Sequence, residues 1–448
     1  MHGSIAVLCL LSCACGGRSL PVAVPDAGGP NGDAPDGGTT NPDGGTIACG
    51  TPWPGERQFG SALADEALAL AIAPDGDIHV GGYEQGINGS AGIEPSGAAR
   101  GFLLQLSPNG DQIRKRVFAT AGTTTVEALA IQGPDALVVG RTTGRLGTWN
   151  PAGQFDAFLA RAPLDGAAPT VLWQGGTERP EHPRNVALGP DGQLFAAGWI
   201  DHYVPSNYVE RWDDELTFSL RLSAGGAEPL WLRSGTLDVV DTAWAVAADP
   251  MRAGGYAVTG AVAAGTSRGP WIRLVAPDGA LAWSRILTPV GFDNAGGVAF
   301  APDGNVIVAG STFTGIFGKP SGQQDVYVAK LDRETGETLW SMQYGSAESD
   351  FVKAMAVDSR GTIVVAGETL GDFTGKTPPA GDYDVFALLV SADGDVLGTW
   401  QRGSPADDQL HAVAFDGCSR ALVAGSSAGA LFGPQLGQRD AWVAEARF

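Results

Sequence analysis

Gly297-Val298-Ala299-Phe300, Pro302-Asp303-Gly304 and Val306-Ile307-Val308-Ala309-Gly310 follow one another in a single short stretch. They predict a strand, a tight turn and a second apolar strand, with Gly304 at the turn position that needs positive φ. Trp283 leads this stretch, and Asp325-Val326-Tyr327-Val328-Ala329-Lys330-Leu331 closes it. The same module recurs from Cys49 to Phe448. Its strand-ending glycine returns at Gly82, Gly140, Gly198, Gly260, Gly310, Gly367 and Gly425, with spacings of 58, 58, 62, 50, 57 and 58. The leading Trp returns at Trp53, Trp173, Trp231, Trp283, Trp340 and Trp400, with Val117-Phe118 in its place in the second copy. Seven units of four short strands predict an all-β chain folded as a seven-bladed β-propeller.

The first copy shows the physical logic. Leu68, Leu70 and Ile72 alternate with Ala67, Ala69 and Ala71, a period of two. Small residues suit an inner strand squeezed between neighbouring blades. Pro74-Asp75-Gly76 and Pro190-Asp191-Gly192 repeat the turn. The second to fourth copies are less regular: Ala136 stands where the turn glycine is expected, and Met251 to Gly255 interrupt a hairpin.

The units resemble SBBP repeats, a seven-bladed propeller family of bacterial surface and secreted proteins. Asp325-Val326-Tyr327-Val328-Ala329-Lys330-Leu331, Trp340-Ser341-Met342-Gln343-Tyr344-Gly345 and Ile363-Val364-Val365-Ala366-Gly367-Glu368-Thr369 carry the resemblance. It implies architecture more than chemistry, because that family has no general activity. Arg333-Glu334-Thr335-Gly336-Glu337-Thr338-Leu339-Trp340 also resembles one quinoprotein blade motif. The repeat does not supply the eight blades and adjacent disulfide cysteines common in such enzymes.

The 448 residues carry 28 Lys+Arg against 49 Asp+Glu, a net charge of −21. So acidic a chain is a poor nucleic-acid binder, since phosphate neutralisation by Lys and Arg dominates that affinity. No apolar run reaches the roughly 18 residues of a membrane-spanning helix. Ile5-Ala6-Val7-Leu8-Cys9-Leu10-Leu11 followed by Ser12-Cys13-Ala14-Cys15 predicts an export signal over residues 1–15. Leu10-Leu11-Ser12-Cys13 resembles a lipobox, which implies lipidation of Cys13, with Cys15 as the alternative, and a membrane contact through that anchor. Ala14 after the lipidated cysteine favours the outer membrane under the enterobacterial sorting rule. Residues 16–48 are rich in Pro, Gly and Asp, cannot bury enough apolar surface to fold, and predict a disordered tether before a 49–448 propeller. The tether holds four Asp and one Arg, so the body keeps most of the acidity.

A chain that opens with a Trp strand and ends on Asp440-Ala441-Trp442-Val443-Ala444 needs its N-terminal strand to complete the last blade. This removes a free edge. Cys49 and Cys418 then fall in the same blade and are expected to form a disulfide.

Two Asp rows recur. Asp65, Asp241, Asp293, Asp350 and Asp408 precede the inner strand, and Asp156, Asp325, Asp384 and Asp440 precede the closing strand. They fit either an acidic rim or repeated loop-capping hydrogen bonds. The most divergent loop contains Trp199, His202, Tyr203, Tyr208, Trp212 and Asp213. Aromatic faces beside carboxylates suit a sugar or peptide, so the ligand site is expected there. His2, His79, His182, His202 and His411 show no metal-ligand spacing, and no nucleophile-elbow order of a catalytic triad is present. The expectation is a monomeric, lipid-anchored surface protein that needs no cofactor and presents loop faces to a protein, peptide or glycan. The alternative is an envelope enzyme, a lyase or glycosidase, working at the propeller mouth. Unlike charged side chains converging on the mouth would favour the enzyme; a dry apolar channel ringed by similar Asp would favour a scaffold.

Overall fold

The computed structural model describes residues 52–88, 95–96, 99–200, 216–222, 229–233, 240–264, 267–287 and 293–448. All of them lie in one compact unit, Gly38–Phe448. The signal segment 1–15 with Cys13, the tether 16–48, and Cys49 lie outside the described residues.

The described residues are all-β, with no helix among them. β1 (Arg57–Phe59) is followed by β2 (Ala64–Ile72), β3 (Ile78–Asn88), the two-residue β4 (Pro95–Ser96), β5 (Arg100–Leu106) and β6 (Gln112–Phe118). Then come β7 (Thr124–Gln132), β8 (Asp135–Thr142), β9 (Asp156–Pro163) and β10 (Thr170–Gly175). The third unit holds β11 (Glu181–Leu188), β12 (Leu194–Ile200), β13 (Leu216–Leu222) and β14 (Pro229–Arg233). The fourth holds β15 (Val240–Ala248), β16 (Tyr256–Ala264), β17 (Ser267–Val275) and β18 (Leu281–Ile286). β19 (Asn294–Phe300), β20 (Val306–Thr312), β21 (Asp325–Leu331) and β22 (Thr338–Tyr344) form the fifth. β23 (Asp350–Val357), β24 (Ile363–Thr369), β25 (Asp384–Val390) and β26 (Val396–Arg402) form the sixth. β27 (Asp408–Phe415), β28 (Ala421–Ser427) and β29 (Asp440–Ala446) end the chain.

Each unit is an antiparallel four-stranded meander, and the units pack as the blades of a β-propeller. β2, β7, β11, β15, β19, β23 and β27 are the innermost strands, each touching the next, and β27 touches β2 again. Hydrogen bonding gives six sheets rather than the seven expected. The third and fourth units share one eight-stranded sheet because Leu216 of β13 pairs in parallel with Asp241 of β15. The sequence cannot reveal such a bridge, since it depends on where one strand end meets the next unit.

β1 pairs with β29, setting Arg57 opposite Val443, Gln58 opposite Trp442 and Phe59 opposite Ala441. The N-terminal segment therefore supplies the outer strand of the last sheet. Trp53 itself lies before that strand. Its backbone N–H donates to Glu445 at 2.6 Å, and its indole N–H donates to the Pro108 carbonyl of the first unit at 2.9 Å. Trp283 and Trp340 repeat the second bond, donating to the Arg333 and Ala392 carbonyls at 2.8 and 3.1 Å. Each of these three indoles thus reaches the outer hairpin of the following unit. A glycine in that hairpin makes the approach possible: a Cβ at Gly336 would stand 2.8 Å from the Trp283 ring.

The cores lie between units. Ile307, Ala309, Val326 and Val328 pack against Val352, Ile363, Val365 and Phe386 of the next unit, while Ala67, Val80 and Phe102 pack against Leu422, Ala424 and Val443 of the last. Third strands such as β21 are buried on both faces, which explains their continuous apolar runs. Gly76, Gly192 and Gly304 adopt φ of 89°, 77° and 84°, as the turns require. The second copy differs from expectation. Its turn residue is Gly133, at φ 55°, and Ala136 lies inside β8 rather than in the turn.

Candidate functional site: the central channel

Every innermost strand carries a register shift at the same place. The pairing skips Leu68, Glu127, Arg184, Trp244, Gly296, Lys353 and His411. A bulge leaves its residue out of the ladder and re-aims the side chain. All seven positions line one central cavity of about 440 Å³. Each stands three residues beyond the position that opens the inner strand, which is Asp65, Thr124, Glu181, Asp241, Asp293, Asp350 or Asp408. Two residues further along, Leu70, Leu129, Val186, Val298, Met355 and Val413 also line the cavity and make an apolar layer. The channel is therefore neither wholly apolar nor uniform: one register holds seven residues of which no two are alike.

Acidic side chains share this lining with cationic ones. Glu127 is 8% exposed; it receives a 3.0 Å ion pair from Arg141 and a 2.6 Å hydrogen bond from the Thr125 hydroxyl. Burial pushes its carboxyl up, but Arg141, Arg184 and Thr125 outweigh this, and it titrates below the ordinary glutamate value. Glu368 is 5% exposed and pairs with Lys353 at 3.1 Å, yet burial holds its carboxyl above the ordinary value. Glu66 lies 3.6 Å from His411 Nε2 and 3.9 Å from Arg439, accepts a hydrogen bond from Tyr83, and is also raised by burial. Tyr83 is raised by its own burial and by Glu66. His411 is lowered to about 3, first by burial and then by Lys353, Arg184 and Arg439, so its imidazole is neutral near pH 7. Arg184 acts on Glu66, Glu127 and His411, so residues of four units share one electrostatic neighbourhood.

Trp199 belongs to this constellation. Its ring stacks on His182 at 5.0 Å and 11°, lies 6.1 Å from Trp244, and carries the Arg184 guanidinium at 4.7 Å. His182 in turn bonds Arg141 at 2.9 Å. His202, Tyr203, Tyr208, Trp212 and Asp213 lie outside the described residues. Cys418 is disulfide-bonded.

The Asp rows prove to be hydrogen-bond staples. In the first row, Asp350 accepts from the Ser346 N–H and hydroxyl and the Thr369 hydroxyl at 2.6, 3.0 and 2.5 Å, and Asp408 does the same with Ser404 and Ser427. Glu181 takes this role in the third unit by accepting from the Thr177 N–H and hydroxyl, both at 2.7 Å. Burial raises Asp350 to about 6 and Glu181 to about 7. In the second row, Asp156, Asp325, Asp384 and Asp440 each accept from an outer-strand glutamine: Gln174, Gln343, Gln401 and Gln58. All four of these Asp are buried, which a solvent-facing acidic rim would not be. Among the described residues no group of three or more His, Cys, Asp or Glu is placed to hold a metal.

Searching the sequence for motifs missed Glu127, Arg184, Trp244, Lys353 and His411. The signal was present as a single divergent column, visible once the copies are aligned on the residue opening each inner strand.

No protein-family model matches the chain. Among curated proteins it is similar to the regulatory protein FlaEY of Caulobacter vibrioides, 29% identical over 142 residues, covering 28% of this chain and 15% of that protein. The chain thus matches well under two thirds of that relative's length. Among solved structures it is similar to Chaetomium thermophilum Sqt1 bound to the N-terminus of ribosomal protein L10, with a TM-score of 0.46, 14% identity and coverage of 87% of this chain and 98% of that one. A protein of unknown function from Dyadobacter fermentans gives a TM-score of 0.44 at 14% identity, covering 88% and 100%. At these levels the likenesses carry no argument about activity.

Proposed function

We propose that this chain is an exported, lipid-anchored binding protein whose ligand sits in the central channel of a seven-bladed propeller. The blade count takes the eight-stranded sheet as two blades bridged at one residue pair, and seven innermost strands in a closed circuit support it. Leu10-Leu11-Ser12-Cys13 and the Pro/Gly/Asp tether support export and anchoring through Cys13 at the outer membrane or cell surface. The quoted repeat strings support membership of the SBBP-repeat family. Cys49 is the proposed partner of Cys418, because Trp53, four residues later, is already held against the last strand and the first unit.

One observation carries the channel reading: most copies keep the staple and the turn glycine, but the bulge position that faces the cavity differs in all seven. Structural demands are similar in every blade, so they do not call for six different side chains and a glycine there. The ligand site expected on the loop face shifts to the channel, with Trp199 supporting it. The test is a glycan array and an envelope-protein pull-down with the full chain and with Leu68→Trp, which plugs the channel. Trp already stands at this register at Trp244. The plug is expected to abolish binding; undiminished binding would return the site to the loops.

A second reading, catalysis in the channel by a lyase or glycosidase, is favoured by the neutral His411 imidazole 3.6 Å from Glu66. Product release from a bound glycan would establish it, and loss of turnover in His411→Gln with retained binding would assign the group.

A further inference from the structure

The channel's acidic and basic residues are not equally presented. Glu66, Glu127 and Glu368 also line the cavity but are only 9%, 8% and 5% exposed. Arg184 is exposed to the cavity, and the Lys353 side chain is 37% exposed. The most exposed charges of the lining are therefore cationic, inside a chain with a net charge of −21. Such a body offers anions no general attraction, so any attraction must be local to these two side chains. The Arg184 guanidinium is positioned on the Trp199 ring at 4.7 Å, a pre-oriented plane suited to oxyanions. The Lys353 ammonium has three donors, and Glu368 takes one direction at 3.1 Å. Leu70, Leu129 and Met355 give the same cavity an apolar layer, and Trp244 also lines it. A cavity of about 440 Å³ is of small-molecule size.

We propose that the channel binds a small organic oxyanion, a carboxylate or phosphate, through Arg184 and Lys353, with its ring or apolar body against Trp244 and the aliphatic layer. This rests on the channel being the binding site and goes on to name the class of ligand. The buried acids hold the two cations in place.

The test is calorimetric titration of the full chain in detergent at fixed ionic strength. The probes are glucuronate, glucose 6-phosphate and benzoate, each against a neutral counterpart, glucose or benzyl alcohol. At least one anion should bind while its neutral counterpart does not, and glucuronate against glucose 6-phosphate tells carboxylate from phosphate. Loss of a charge-assisted hydrogen bond in Lys353→Gln should weaken the anion roughly ten- to a hundredfold. Lys353→Gln leaves Glu368 buried and unpaired, so Arg184→Gln, at an exposed position, serves as the second variant, and Lys353→Arg should restore binding in part. Neutral probes binding as well as anions, no anion binding at millimolar concentration, or anion binding indifferent to both Gln variants would overturn the proposal. The Leu68→Trp plug separates the two ideas. If the plug abolishes binding of a probe that ignores the charges, only the oxyanion proposal falls. If the plug leaves binding intact, the channel reading itself falls.

Discussion

The Gln58 side-chain amide donates to the Asp440 carboxylate at 3.0 Å, joining residues 382 apart in the chain. The same amide donates to the Gly429 carbonyl at 2.7 Å, and its oxygen accepts from the Leu431 N–H at 3.0 Å. Gln401 does the same with Asp384, Gly371 and Phe373 inside the sixth unit. The two ends of the chain are therefore stapled as any single unit is. Gln58→Ala should destabilise the fold by about 1–3 kcal/mol, the cost of leaving a buried acceptor unsatisfied. Gln401→Ala should cost about the same. Urea unfolding compares them, and a negligible effect of Gln58→Ala would mean that the last sheet does not depend on its N-terminal strand.

Gly336 and Gly375 share a φ of 69° but differ in surroundings. A Cβ at Gly336 would meet the Trp283 ring at 2.8 Å, whereas at Gly375 nothing lies within 4 Å. Gly375→Ala should cost about 1–2 kcal/mol through the left-handed backbone alone. Gly336→Ala should cost more, because Trp283 must also give up its contact and its bond to Arg333. Thermal midpoints of the two variants make the comparison, and equal shifts would remove the clasp from the account.

Glu181 and Asp350 give the fold a pH dependence. Burial raises them to about 7 and about 6, against ordinary values of 4.5 and 3.8. Between those limits the folded chain holds protons that the unfolded chain releases. Their contribution is complete below about pH 4 and is lost as pH rises through 6 to 7. Glu181→Gln, which keeps the shape without the charge, should lose less stability than wild type between pH 5 and pH 7.5. An equal loss of unfolding free energy in both proteins, read from urea titrations at the two pH values, would contradict this.

His411 and His79 are lowered to about 3 and about 4, in both cases first by burial. Their imidazole signals should therefore stay at neutral-form positions from pH 8 to pH 5 in spectra of histidine-labelled protein. Both groups oppose the carboxylate trend, because unfolding below about pH 6.5 lets them take up protons. A midpoint near 6.5 for His411 would mean that the channel is wetter than its packing implies.

Much of the fold was legible before any coordinates. Pro302-Asp303-Gly304 requires a hairpin, and Val306 to Gly310 requires a strand buried on both faces. The return of both at near-constant spacing requires stacked units. The N-terminal strand was legible for the same reason, since the last copy lacked one. The shared sheet of the third and fourth units was not, because it depends on where Leu216 happens to lie beside Asp241. The Asp rows were visible but open in meaning. Their partners, Gln58 for Asp440 and Thr369 for Asp350, lie on strands whose register only the folded sheet sets.

By itself the sequence determined the four-stranded unit, its repetition and the way the two ends meet. Those features are encoded by local periodicity and turn chemistry, which act within a few residues and repeat. Only the tertiary structure decided that Glu127, Arg184, Lys353 and His411 share one cavity. Each is a single residue in a different unit, and a bulge at the same step of each inner strand turns it toward the common axis. Closing the ring brings those side chains together, so their charges act on one another only in the folded chain.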